Sequence, residues 1–143
     1  MHTIRTILKQ KKNNEVWSVS PDDTVLEAIK RMAELGIGAV LVMDGERLEG
    51  ILSERDYARK IILQGRRSAE TRVAEVMSRD VITGTLEMTA DQGLALMTEK
   101  FFRHLPIIED GRVIGLVSIG DLVKKIIAEQ QAVIRQLERY VTG

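Results

Sequence analysis

GLVSIGD, at residues 115–121, has a near copy in GILSERD, at residues 50–56. Both read glycine, two aliphatics, serine, two variable residues and aspartate. The shift of 65 positions that superposes them also pairs Met32 with Met97, Thr24 with Thr89 and Val16 with Val81. Downstream it pairs Lys60, Ile61 and Ile62 with Lys125, Ile126 and Ile127. Roughly a dozen identities hold this register without a gap, so the chain is a tandem duplication.

Working outward from the first motif, residues 48–52 predict a strand returning from a hairpin. Asp44-Gly45 is the turn signal, and the apolar run 39–43 is the preceding buried strand. Val25, Leu26, Ile29, Met32 and Ala33 recur at helical spacing after the start signals Ser20, Pro21, Asp22 and Asp23, and Gly36 and Gly38 end that helix. Residues 16–19 are a short extended lead-in, and Ser53 opens a second helix over 54–63. The second copy repeats the order: Leu94, Met97 and Phe101 on the helix, strands at 105–108 and 113–117, and a turn at Asp110-Gly111. The expected fold is therefore α/β (α+β), two β-α-β-β-α repeats. Residues 1–64 form repeat 1 with an N-terminal segment, 65–71 a polar linker, 72–128 repeat 2, and 129–143 a helical extension. Ile126, Val133, Leu137 and Val141 make a stripe from Lys124 to the end, interrupted by Gln130. Such a stripe covers either the chain's own core or a partner helix in a homodimer.

Composition limits the function classes. Lysine plus arginine equals aspartate plus glutamate at 21 each, which argues against general nucleic-acid binding. No apolar run reaches the ~18 residues of a membrane span, and the N-terminus lacks a secretory apolar core, so the expected location is cytoplasmic. There is no cysteine, which removes disulfides and thiolate metal sites. The two histidines, His2 and His104, suggest no metal pair, and no serine has an evident base. Catalysis is not expected.

The repeated motif has two readings. Serine followed three residues later by aspartate is a helix capping box, and a strand glycine serves close packing. The alternative is a ligand seat. A strand feeding a helix exposes backbone N–H groups that suit phosphate, while a carboxylate there suits the two hydroxyls of a ribose. Both copies keep the glycine, serine and aspartate, while Glu54-Arg55 and Ile119-Gly120 between them diverge.

With these endings and the segment HLPII at 104–108, the chain resembles a pair of cystathionine β-synthase (CBS) domains, a Bateman module, over most of its length. It is most similar to small bacterial proteins that hold such a pair and little else. The resemblance implies sheets packed with pseudo-twofold symmetry and two clefts that bind adenosine-containing ligands such as AMP, ATP, NAD(H) or S-adenosylmethionine. Carried over by position, it implies one cleft from Ser53, Arg55 and Asp56 with Arg103, His104 and Leu105, and Thr83 and Thr85 nearby. The other combines Ser118, Gly120 and Asp121 with Ile37, Gly38, Ala39, Ser18 and Ser20. The aspartates would hold ribose hydroxyls, and backbone groups of the turns would read the adenine. The implied protein is a regulatory sensor without a catalytic cofactor, a homodimer that signals to an effector protein. The alternative is an interaction module with vestigial clefts.

Overall fold

The computed structural model describes residues 2–11 and 16–142 and contains two compact units, 16–82 and 1–15 with 83–143. In the first unit, β1 (Ser18–Val19) runs parallel to β2 (Ala39–Asp44), which pairs antiparallel with β3 (Arg47–Ser53). Between β1 and β2 lies α2 (Val25–Leu35), which buries Val25, Ala28 and Met32 against the sheet. Ala33, expected on that face, is exposed, because the buried stripe passes through Ala28. The helix starts later than its signals suggested. Thr24 is the N-cap, in a capping box with Glu27, while Ser20 and Asp23 bond each other in a turn just before it.

The second unit repeats this plan. Helix α5 (Ala90–Lys100), capped by Thr89, leads to the hairpin of β4 (His104–Glu109) and β5 (Arg112–Ser118). Its lead-in strand is reduced to one parallel bridge, Gly84 to Ile107. Both hairpins carry a register shift at the same repeat position, between Val42 and Met43 and between Ile107 and Ile108. The helices end differently. Gly36 closes α2 in the left-handed region, with φ 66°, and Phe101, at the matching position, closes α5 with φ 59°. Phe101 therefore leaves the buried face on which its spacing put it, and it is 83% exposed.

After the hairpins the copies diverge. In the first, α3 (Glu54–Tyr57) widens into a π turn over Ala58–Ile62. In the second, α6 runs unbroken from Ile119 to Thr142. Within residues 65–71, expected as a polar linker, Ser68–Glu70 form a single 3-10 turn. Thr71 is buried, its hydroxyl donates to Arg67 O, and its carbonyl accepts from Val25 N–H.

Each unit is closed by a short covering helix from the other end of the sequence repeat. Helix α1 (Ile4–Gln10) precedes the first copy but packs on the second, where Ile4 and Arg5 N–H donate to Met88 O and Leu86 O. Helix α4 (Val73–Val76) precedes the second copy but packs on the first, with Val73 and Ala74 donating to Asp23 O and Pro21 O. Asp23 and Met88, like Pro21 and Leu86, are 65 apart, so the two helices dock at the same place on each copy. The contact units thus cut the chain differently from the linear repeats.

Candidate functional site

The first motif lies where β3 meets α3. Ser53 Oγ accepts from Asp56 N–H at 3.1 Å, and Asp56 Oδ2 accepts from Ser53 N–H and from its hydroxyl, both at 3.0 Å. The other carboxylate oxygen, Oδ1, accepts from Ser78 Oγ at 3.2 Å and lies 3.2 Å from Lys60 Nζ. Lys60 also donates to Val76 O at 2.8 Å. A carboxylate offers about four lone-pair sites; here three accept hydrogen bonds and the Lys60 ammonium lies beside Oδ1, so both oxygens have partners. Asp56 closes the capping box and also ties down the segment carrying α4.

At the second motif Asp121 Oδ2 accepts from Ser118 N–H at 2.9 Å, and Ser118 Oγ accepts from Asp121 N–H at 3.1 Å. The third partner comes from the end of α1. Lys11 Nζ donates to Asp121 Oδ2 at 3.0 Å and to Leu116 O at 2.9 Å. Among the described residues Asp121 Oδ1 accepts no hydrogen bond, and the side chain is 27% exposed, against 14% for Asp56. Burial alone would raise the Asp121 carboxyl, but the Ser118 N–H and the Lys11 ammonium outweigh it. The net direction is down from its ordinary 3.8, so the group is anionic at neutral pH.

The glycines of the motif are packing residues. A Cβ on Gly50 would lie 2.8 Å from Met77 Sδ and 2.8 Å from Ser78 O; one on Gly115 would lie 2.9 Å from both Leu8 methyls. Glycine admits the covering segment, and serine and aspartate cap the next helix and hold that segment in place. The structural reading of the motif is thereby realised in both copies.

Each unit gathers its own copy's share of the expected site. In the first, Gly38 O accepts from Glu54 N–H at 3.0 Å and Ala39 pairs with Ser53, which brings residues 37–39 beside the Ser53–Asp56 box. Ser20 Oγ is engaged by Asp22 N–H, whereas Ser18 and Arg55 are exposed. In the second, Arg103 O accepts from Ile119 N–H at 3.0 Å and His104 pairs with Ser118. Arg103, Thr83, Thr85 and Gly120 are exposed. Ala39 and Leu105 have buried side chains and present only backbone to a ligand. The combinations drawn across the two copies join residues of different units.

Sequence reading met Lys60 only as a repeat identity and assigned neither it nor Lys11 or Ser78 to the site. The spacing of Asp56 and Lys60, four apart on one helix, was a usable signal. Nothing local marks Lys11 or Ser78, because the covering segments reach their aspartates through tertiary packing alone.

A tandem hairpin–helix repeat with a Ser–Asp box at each strand-to-helix junction defines the class. A family model for the CBS domain matches the chain twice, over residues 8–63 and 73–128. The chain belongs to the CBS-domain family and carries the tandem pair characteristic of its regulatory modules. The CBS domain-containing protein CBSX3, mitochondrial, of Arabidopsis thaliana is 40% identical over 150 residues, which span 99% of this chain and 72% of that protein. A solved structure from Burkholderia ambifaria MC40-6, described as a candidate signal-transduction protein with CBS domains, is 50% identical. It has a TM-score of 0.86 over 90% of this chain and 96% of its own. The CBS pair of protein MJ0100, solved in complex with 5-methylthioadenosine and S-adenosyl-L-methionine, has a TM-score of 0.79 over 90% of this chain and 98% of its own. At 22% identity, that likeness is one of fold. Among the described residues no helix is long and apolar enough to cross a membrane.

Proposed function

We propose that this CBS pair is a non-catalytic cytoplasmic sensor that binds an adenosine compound (AMP, ATP, NAD(H) or S-adenosylmethionine) in clefts shared by its two copies. One observation carries the reading. Asp121 is anionic and partly exposed, and its Oδ1 is uncommitted among the described residues at the start of a 24-residue helix. A carboxylate in that state accepts hydrogen bonds from a ribose diol without giving up its structural partners. Ser118, Gly120 and Asp121 would form that cleft with Ile37, Gly38, Ala39, Ser18 and Ser20. The MJ0100 complex supports the ligand class as chemistry that this fold accommodates.

The cleft built on Ser53, Arg55 and Asp56 with Arg103, His104, Leu105, Thr83 and Thr85 is the weaker of the two. There a ligand must displace Ser78 or Lys60 from Asp56. That prior engagement of both oxygens favours the second reading, an interaction module, for this half. Signalling would be a population shift: a ligand that binds one arrangement of the copies better alters the surface that an effector protein meets. The chain would act as a homodimer.

A thermal-shift panel of AMP, ADP, ATP, NAD, NADH and S-adenosylmethionine tests the reading. A compound at 100 times its Kd adds about 2.7 kcal/mol if it binds only the folded state. At least one adenosine compound is expected to raise Tm while guanosine and cytidine counterparts do less. A flat panel removes the sensor reading.

A further inference from the structure

The last thirteen described residues of α6, 130–142, are exposed along their whole length, some 20 Å of helix. They lie beyond both segments matched by the CBS family model. The segment continues a helix anchored at Leu122, but none of its own side chains is buried, so packing within the chain does not hold it. Its outward face is apolar: Leu137 is 60% exposed, Val141 82% and Tyr140 89%. Ile127, Gln130, Ile134, Leu137 and Val141 follow one another at spacings of three and four, a heptad seam, with Val133 and Tyr140 flanking it.

We propose that this segment is a self-association element that pairs in parallel, in register, with α6 of a second copy. Area and polarity both favour a second copy. The exposed apolar side chains present on the order of 500 Å² per chain, so an identical partner brings the total to about 1,000 Å², the threshold of a specific interface. Gln130, the one polar residue within the seam, faces its own counterpart only when the helices run parallel and in register, where two amides satisfy each other. An antiparallel pairing sets it against an apolar side chain, and a single polar seam residue of this kind fixes register and orientation. The proposal specifies the homodimer part of the reading above and is independent of any ligand.

The test uses the full chain, which contains no cysteine. Light scattering during size exclusion is expected to give a dimer for the wild type and a monomer for the Ile134→Asp, Leu137→Asp double variant. Both positions are exposed in the single chain, so circular dichroism of the variant should still show a folded, cooperatively melting core, with whatever Tm it loses matching the lost association. Gln130→Cys is then expected to form a self-disulfide in high yield on mild oxidation, whereas Arg135→Cys, on the outer face, is not. A wild-type monomer overturns both this proposal and the homodimer. A dimer that survives the double variant, or a Gln130→Cys chain that crosslinks no better than Arg135→Cys, overturns the pairing and leaves the homodimer standing.

Discussion

Replacing Gly50 or Gly115 by alanine adds the same methyl at equivalent places in the two copies, yet the surroundings differ. At Gly50 the new Cβ meets Met77 Sδ, which can swing away, and Ser78 O, which cannot, each at 2.8 Å. Ser78 and Ile51 exchange two backbone hydrogen bonds, Ile51 N–H to Ser78 O at 3.0 Å and Ser78 N–H to Ile51 O at 2.9 Å. Relieving the clash stretches both, and each contributes about 0.5–1.5 kcal/mol. At Gly115 the neighbours are the methyls of Leu8 at 2.9 Å, the far end of a side chain that can rotate. Overpacking costs about 1–3 kcal/mol, and relief of glycine's backbone entropy returns roughly 0.5–1 kcal/mol in either case. Gly50→Ala should therefore destabilise by about 2–4 kcal/mol and Gly115→Ala by about 1–2 kcal/mol. Urea unfolding followed by circular dichroism reads this as midpoints separated by roughly 0.5–1 M, with Gly50→Ala the lower. Equal losses, or a larger loss at Gly115, would refute the argument from backbone against side-chain contact.

Further outcomes follow from single residues. Phe101→Gly relieves a left-handed backbone at a largely exposed side chain. The strain of about 1–2 kcal/mol, less roughly 0.5–1 kcal/mol of glycine entropy, leaves a gain of about 0.5–1 kcal/mol, or roughly 2–4 °C in Tm by calorimetry. The Asp121 carboxyl is lowered on folding, so its contribution is fully present above its ordinary 3.8 and is lost as pH falls through the depressed folded value. The Tm difference between wild type and Lys11→Met should thus be constant from neutral pH down to about 4–5 and shrink at lower pH. A difference that instead grows with acid removes the ion pair from the account. Lys60→Met frees both an Asp56 oxygen and Val76 O, and is expected to lower Tm by a few degrees through loss of the two contacts. An unchanged Tm by the same calorimetry denies that tie any structural weight.

Much of this was legible beforehand because repetition doubles every signal. The hairpins, the helix before each and the Ser–Asp boxes follow from local periodicity and short polar spacings, which the chain states twice. The exchange of α1 and α4 between copies could not be read, because the linear order of the repeats says nothing about which core a flanking helix covers. Pattern also misplaced Phe101, since helical spacing continues through a residue whose backbone has already turned over. The motif carried two meanings, and the hydrogen bonds separate them. At Asp56 the structural role engages both oxygens, whereas at Asp121 it leaves one oxygen open among the described residues.

The most direct measurement is isothermal titration calorimetry, with whichever adenosine compound gives the largest thermal shift, on the wild type, Asp121→Asn and Asp56→Asn. Binding at Asp121 predicts at least a tenfold loss of affinity in Asp121→Asn and near-wild-type affinity in Asp56→Asn, a variant that loses Tm instead. Undiminished affinity in Asp121→Asn would contradict it.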